Sequence, residues 1–421
     1  MRPSLFARCV LAAALSLPLR AVAQEAPPAQ GEAVRVYLHC SGFYCDMEYL
    51  QQEIAFVTHV RDRADADVHV LITVQATGGD GREYTLAFLG QRRFAGATQT
   101  LRYLTEANQA EDRVRAGLAN TLRLGLVRYA AESPQAAQLR VTYAAPQQAA
   151  AAERDPWNRW TFRVDGNGFF NGEQSYSNRY LYGALSAARV TEAWKLRLSL
   201  SGSNDRTEFA IDSAQTIVNQ QHSYGFNGLL ARSLGPHLSA GIRASAASAS
   251  YLNQDLSTYL TAAVEYDLYP YAQSTRRQLV VQYSVGPRTF DYEVETIFGR
   301  TSETLVRQSL LTALVLKQPW GSVDVELDGS SYLHDLGKNR LELGGGVELN
   351  LVRGLSLNVS GSFQRIRDQL YLPAGEATPE EILLRRRQLA TDFQYYASLG
   401  LSYTFGSKFS SVVNPRFNAT P

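Results

Sequence analysis

From Trp157 to Phe405 apolar and polar residues alternate in one segment after another, and this period of two restricts the region to half-buried antiparallel strands. The pattern is explicit where Trp194, Leu196, Leu198 and Leu200 alternate with Lys195, Arg197, Ser199 and Ser201. It returns where Leu260, Ala262, Val264 and Tyr266 face Thr261, Glu265 and Asp267. Val323, Val325 and Leu327 alternate with Asp324, Glu326 and Asp328, and Leu341, Leu343, Val347 and Leu349 with Glu342, Glu348 and Asn350. A soluble sandwich also alternates, but its strands average only about 5 or 6 residues. Here the segments start near residues 158, 177, 193, 217, 237, 256, 277, 302, 321, 339, 355 and 392, an even number of long ones. Short joins at 191–193, 234–236, 274–276, 318–321 and 352–354 alternate with mostly longer polar ones. The expectation is an all-β transmembrane antiparallel barrel of about twelve strands over residues 156–407.

Composition points the same way. Hydrophobic residues make up 45% of the 421, yet mean hydropathy is −0.22 and the one long apolar run is N-terminal, so no membrane-spanning helix is expected. In hydrocarbon each backbone N–H and C=O needs an internal partner, which a strand obtains only in a sheet that closes on itself. Trp160, Trp194, Tyr266, Tyr269, Tyr271, Trp320, Tyr403 and Phe405 sit near segment ends, where aromatic girdles lie. The opposite face carries Arg163, Lys195, Arg197, Arg243 and Arg288 against Asp165, Glu265, Asp267, Asp324, Glu326, Asp328, Glu342 and Glu348. Two readings of that mixed set stay open: a narrow water-filled pore, or a lumen closed by paired charges.

Ahead of the barrel the chain divides into several parts. Residues 1–23 read as a secretory leader: Arg2 and Arg8, an apolar centre from Val10 to Leu17, and Ala21-Val22-Ala23 before a cut at Gln24. Losing its three arginines turns the formal charge of +1 into −2, which offers nothing to a polyanion, so no nucleic-acid partner is expected. A flexible leader over 24–33 precedes a compact domain over 34–132, read in the order β-α-β-β-β-α as a small periplasmic α+β unit. Cys40 and Cys45 are expected to form a local disulfide in an oxidising compartment. A free thiol pair is the alternative, and a metal site with His39, His59 and His69 lacks the spacing of a zinc motif. Gly78-Gly79-Asp80-Gly81 reads as a hairpin turn. Residues 133–155 read as a linker with a short strand at Leu139–Tyr143, Thr378-Pro379-Glu380-Glu381 as a helix start in the longest loop, and 408–421 as a periplasmic tail.

Ser398-Leu399-Gly400-Leu401-Ser402-Tyr403-Thr404-Phe405 resembles the signal by which the bacterial barrel-assembly machinery recognises its clients, with Ser398, Gly400, Tyr403 and Phe405 at its defined positions. The resemblance implies that machinery as a partner during biogenesis, outer-membrane lipid as the surroundings, and an N-terminal domain in the periplasm. Tyr269-Pro270-Tyr271, Thr275-Arg276-Arg277 and Tyr283-Ser284-Val285-Gly286 are similar to segments of the salt-induced outer-membrane protein family, which implies fold and localisation but no substrate. Ala66-Asp67-Val68-His69-Val70-Leu71-Ile72, leading into a Gly turn and a returning strand, resembles the N-terminal modules of the TolB and curli-secretion families. That likeness implies a periplasmic protein as partner of the domain. Only His222, His237 and His334 are available to a catalytic triad in the barrel region, and no Walker or dinucleotide loop occurs, so neither an enzyme nor a cofactor is expected. The functional expectation is a passive narrow pore for small solutes with an accessory domain; the alternative is a structural barrel that anchors a protein-binding domain.

Overall fold

The computed structural model describes residues 33–40, 45–142, 155–211, 216–352, 354–375 and 388–406. The expected leader, the Thr378 helix start and residues 408–421 lie outside them.

The N-terminal part runs β1 (Arg35–Cys40), α1 (Met47–Glu53), β2 (Thr58–His59), β3 (Val68–Ala76), β4 (Arg82–Gly90), β5 (Thr98–Thr105) and α2 (Glu111–Ala130). Its sheet has the order β2-β1-β3-β4-β5, with β1 parallel to β2 and β3 and the remaining pairs antiparallel. Strand β2 was not legible because two residues are too few to display a period. Cys40 and Cys45 form the expected disulfide, and the Asp46 side chain caps α1 by accepting from the Tyr49 amide at 3.0 Å. Both helices lie on one sheet face, where Val36, Val70, Ile72, Leu86 and Phe88 pack against Leu118, Leu122 and Leu126.

Helix α2 lies close to the sheet because it lacks a side chain at Gly125, where a Cβ would overlap the ring of buried Phe88. Gly125→Ala would gain about 1 kcal/mol of helix propensity. Overpacking a rigid aromatic costs about 1–3 kcal/mol, and the overlap with three ring atoms puts this site at the upper end. A net loss of about 2 kcal/mol is therefore expected, read as an earlier first transition of the full chain in urea. An unchanged or later transition would show that Phe88 yields.

After α2 the expected strand at 139–143 does not form among the described residues. Ser133 caps a 3-10 turn over Pro134–Gln138 instead, and residues 139–142 take part in no strand of either sheet.

The second sheet is a meander of twelve antiparallel strands in sequence order. Its first six are β6 (Trp160–Gly172), β7 (Tyr176–Val190), β8 (Trp194–Ala210), β9 (Thr216–Ser233), β10 (Leu238–Ala249) and β11 (Gln254–Asp267). The rest are β12 (Arg277–Tyr292), β13 (Ser302–Gln318), β14 (Gly321–Tyr332), β15 (Asp335–Val352), β16 (Leu355–Ile366) and β17 (Phe393–Tyr403). Strands of 11 to 18 residues are far longer than those of a sandwich. Loop asymmetry is weaker than the sequence suggests. The β14–β15 join, on the side expected to carry long loops, is only Leu333-His334, and the β11–β12 join spans residues 268–276 with a 3-10 turn at Tyr271–Gln273. No pairing joins β6 to β17 among the described residues.

Two sets of contacts bring distant strands of this sheet together. At the end of the β7–β8, β9–β10, β13–β14 and β15–β16 turns, the N-terminal part touches both edge strands: Gly79 lies against Thr161 of β6, and Arg61 donates to the carbonyls of Phe405 and Gly406 just past β17. At the other end the segment 367–375 after β16 reaches the loops flanking β11 and β12. Asn253 Nδ2 donates to the Tyr371 carbonyl at 3.1 Å, and the Ile297 amide to the Leu372 carbonyl at 2.9 Å.

Candidate functional site

Pairing register assembles one polar face from residues far apart in sequence. Arg163 lies opposite Ser186 and Ser199 in turn, Arg197 leads through Leu229 to Arg243 and Thr261, and Asp328 stands opposite Glu342. Followed across all twelve strands, the register places Arg163, Asp165, Lys195, Arg197, Arg243, Glu265, Asp267, Arg288, Asp324, Glu326, Asp328, Glu342 and Glu348 on this same face. The opposite face presents exposed Val164, Leu200, Leu260, Val264, Leu310 and Leu399. Trp160, Trp194, Tyr266, Tyr269, Trp320, Tyr403 and Phe405 all fall at the end nearest the N-terminal part. Of the last strand's motif residues, Ser398 and Gly400 pair with Ser360 and Asn358 on β16, and the Tyr403 and Phe405 rings stack at 5.7 Å.

On the polar face the charges cluster by sign only in part, because Lys317 and Arg307 of β13 stand beside the acidic row of β14. Lys195, Arg197 and Arg243 occupy β8 and β10, and the acid nearest them, Glu265, accepts from Gln282 at 2.9 Å and from the Tyr271 hydroxyl at 3.2 Å. Asp324, Glu326 and Asp328 stand at every second residue of β14, with Glu348 on β15, and none of the four has an ion pair among the described residues. Asp267 behaves differently from the rest. It is fully buried, and its carboxylate caps the β11–β12 join by accepting from the Tyr269 and Leu279 amides at 3.0 and 3.1 Å.

One end of this polar face is covered by the N-terminal sheet. His69, Leu71, Thr73, Thr85 and Ala87 point away from α1 and α2, yet all are buried, His69 completely. The covering contacts come from the second sheet. Lys317 Nζ donates to the Val74 carbonyl at 3.5 Å, Gln75 Nε2 to Ser274 Oγ at 3.3 Å, and the Gly354 amide to Asp62 at 3.0 Å. Gly354 has φ +72°, and a Cβ there would overlap the Thr404 carbonyl, so glycine is required in this turn. The β3–β4 hairpin tip, with Gly78 against Val190 and Gly79 against Thr161, completes the footprint. Sequence reasoning missed this docking. Its one trace is that Val68 to Ile72 is apolar at every position except His69, as a strand covered on both faces should be.

Within that interface Tyr37, His39 and His69 form a cluster. The two imidazoles stack with centroids 5.8 Å apart, and the tyrosine ring lies 5.1 Å from His69. Neither nitrogen of His69 has a hydrogen-bond partner. Burial, then the neighbouring His39 and Arg63, push its pKa down to about 3.

The far end is narrowed by the segment 367–375. Leu370, Tyr371 and Leu372 bury against Phe290, Tyr292 and Tyr332 on the polar face, and Arg340 on β15 bonds Asp368 at 2.9 Å and Glu342 at 3.3 Å.

No catalytic relay is assembled among the described residues. The Nδ1 of His237 lies 2.8 Å from the Asp267 carbonyl and its ring stacks on Tyr266, while His222 and His334 lie beside Tyr224 and Tyr332. No group of three or more His, Cys, Asp or Glu side chains is arranged to hold a metal among the same residues. No family model matches the chain, and no curated protein is significantly similar to it.

Proposed function

We propose that this chain is a bacterial outer-membrane barrel whose lumen is a narrow conduit for small solutes, capped from the periplasm by its own N-terminal domain. The row of carboxylates without ion pairs among the described residues carries the reading. In a twelve-strand ring β8 and β10 face β14 and β15, so Lys195, Arg197 and Arg243 stand across from the acidic row, which has Lys317 and Arg307 at its side. Three carboxylates two residues apart on one strand are too costly in a dry interior and require water between the walls.

Aromatic spacing supports the membrane assignment. Exposed Tyr403 and Tyr395 on β17, and Phe162 and Phe170 on β6, are each eight residues apart on the apolar face; Tyr224 stands eight residues from Arg232, the partner of Trp194. At about 3.3 Å per residue and a tilt of about 40°, eight residues rise about 20 Å, close to the ~25 Å apolar band of such barrels. The closing contact would join β6 and β17, whose free edges are costly in lipid.

A closed, anchoring barrel draws support from Arg163–Asp165 and from Arg340 with its two carboxylates, which are paired on the polar face. Planar-bilayer recording of the refolded mature chain separates the two. Discrete current steps, small because the cap is in place, are expected of a conduit. A silent bilayer from folded protein, with the cap present and also with it removed, would leave only the anchor.

A further inference from the structure

The segment 367–375 and the wall it presses on border a half-open cavity of about 270 Å³ at the end away from the cap. Its chemistry is uneven. Arg340 is committed to Asp368 and Glu342, but Arg288 and Arg307, side by side on β12 and β13, have no ion pair among the described residues. Arg307 donates only to Ser330 Oγ, at 2.7 Å. Arg288 lies over the Phe290 ring at 4.6 Å, and its Nε is buried without a partner. Tyr332 and Tyr371 supply further ring surface to the same cavity. Of the acidic side chains nearby, Glu303 accepts from the Tyr292 hydroxyl at 2.7 Å and Glu342 and Asp368 from Arg340, while Asp328 lies near Arg307 without an ion pair to it.

Two guanidinium groups without an ion pair among the described residues, in a cavity bordered by aromatic side chains, form a recognition site for a planar anion. Guanidinium forks match carboxylate oxygens in pairs, and the ring edges border a flat apolar body. The volume lies just below the ~300 Å³ at which drug-sized pockets begin, so it suits a solute of about ten non-hydrogen atoms. We infer that this cavity binds small aromatic carboxylates, with Arg288 and Arg307 holding the carboxylate and Phe290, Tyr332 and Tyr371 bordering the ring. The inference deepens the conduit reading by naming a solute class, but binding at the site does not require current.

Benzoate is the probe, titrated calorimetrically into the refolded full chain in detergent, with bilayer recording on the same preparation. Saturable binding is expected, with benzyl alcohol inert, acetate at least tenfold weaker than benzoate, and the signal lost in the Arg288→Gln/Arg307→Gln double variant. Retained heat-modifiable migration on gels would show that the variant folds. Absence of benzoate binding, or equal binding by the double variant, overturns the site even where current steps persist. Equal affinity for acetate and benzoate overturns the aromatic assignment. Selective benzoate binding by protein that passes no current upholds the site and removes the conduit instead.

Discussion

Gly78→Trp is expected to raise single-channel conductance several fold while leaving both parts of the chain folded. Gly78 lies at the tip of the β3–β4 hairpin, outside the core formed by α1, α2 and the inner sheet face. Even a methyl group there would overlap Val190, and an indole has no place between the hairpin and β7. Twelve strands ~4.8 Å apart with a tilt of ~40° close into a ring of about 24 Å backbone diameter. The five-stranded sheet is itself about 24 Å wide at the same spacing, so it fits the mouth as a cap, and tilting it off at one rim opens the lumen. Deleting residues 33–142 sets the upper bound: the variant should approach the conductance of the deleted chain. Equal conductance for wild type, the Gly78 variant and the deletion would mean that the domain is an accessory beside the pore and not a cap.

The twelve-stranded sheet was legible because each strand buries one face only, which writes a period of two into the sequence. Strand β13 shows where this fails: Leu305, Leu311 and Val315 lie on the polar face, Leu305 against the Phe290 cluster and Val315 opposite Asp324, so apolar residues appear on both sides. Fourteen residues of β11, with Leu256, Leu260 and Val264 exposed and Ser257 and Thr261 buried, show the reverse of a soluble protein's burial. What the sequence did not disclose was contact across long separations. Neither Gly78 on Val190 nor Asn253 on Tyr371 leaves a local signal, because each partner alone reads as an ordinary turn residue or loop aromatic. The charged face was legible residue by residue, but the grouping of Lys195, Arg197 and Arg243 apart from the acidic row of β14 emerges only when β8 and β14 are given places in the strand order. Asp267 lies on the face that alternation gives it, but its role as a turn cap was not legible because it depends on the Leu279 amide twelve residues away.

Acid should lift the cap. His69 is neutral in the docked state, since its pKa is pushed down to about 3 against an ordinary 6.5. Undocking exposes it to water and restores the ordinary value, so docking is fully supported above pH 6.5 and loses support as pH falls from there towards 3. At pH 5 the difference is about 2 kcal/mol, and it grows by about 1.4 kcal/mol for each further pH unit until the lower value is reached. Burial also lowers His39, which stacks on His69, so a second proton adds like-charge repulsion inside the interface. Arg63 opposes protonation of both rings, and Glu348 on β15 favours it at His39. Burial raises the Asp67 carboxyl, but hydrogen bonds and charge from Arg35 outweigh this and hold it below its ordinary range, so it stays ionised through the window. Conductance recorded from pH 7 to 4.5 should therefore rise in the wild type, rise less in His69→Leu, whose side chain needs no proton and remains apolar, and stay flattest when His39 is replaced by Leu as well. A rise of the same size and midpoint in the variant would remove His69 as the group responsible. Loss of the acid response in the wild type itself would show that the interface accepts the imidazolium without opening.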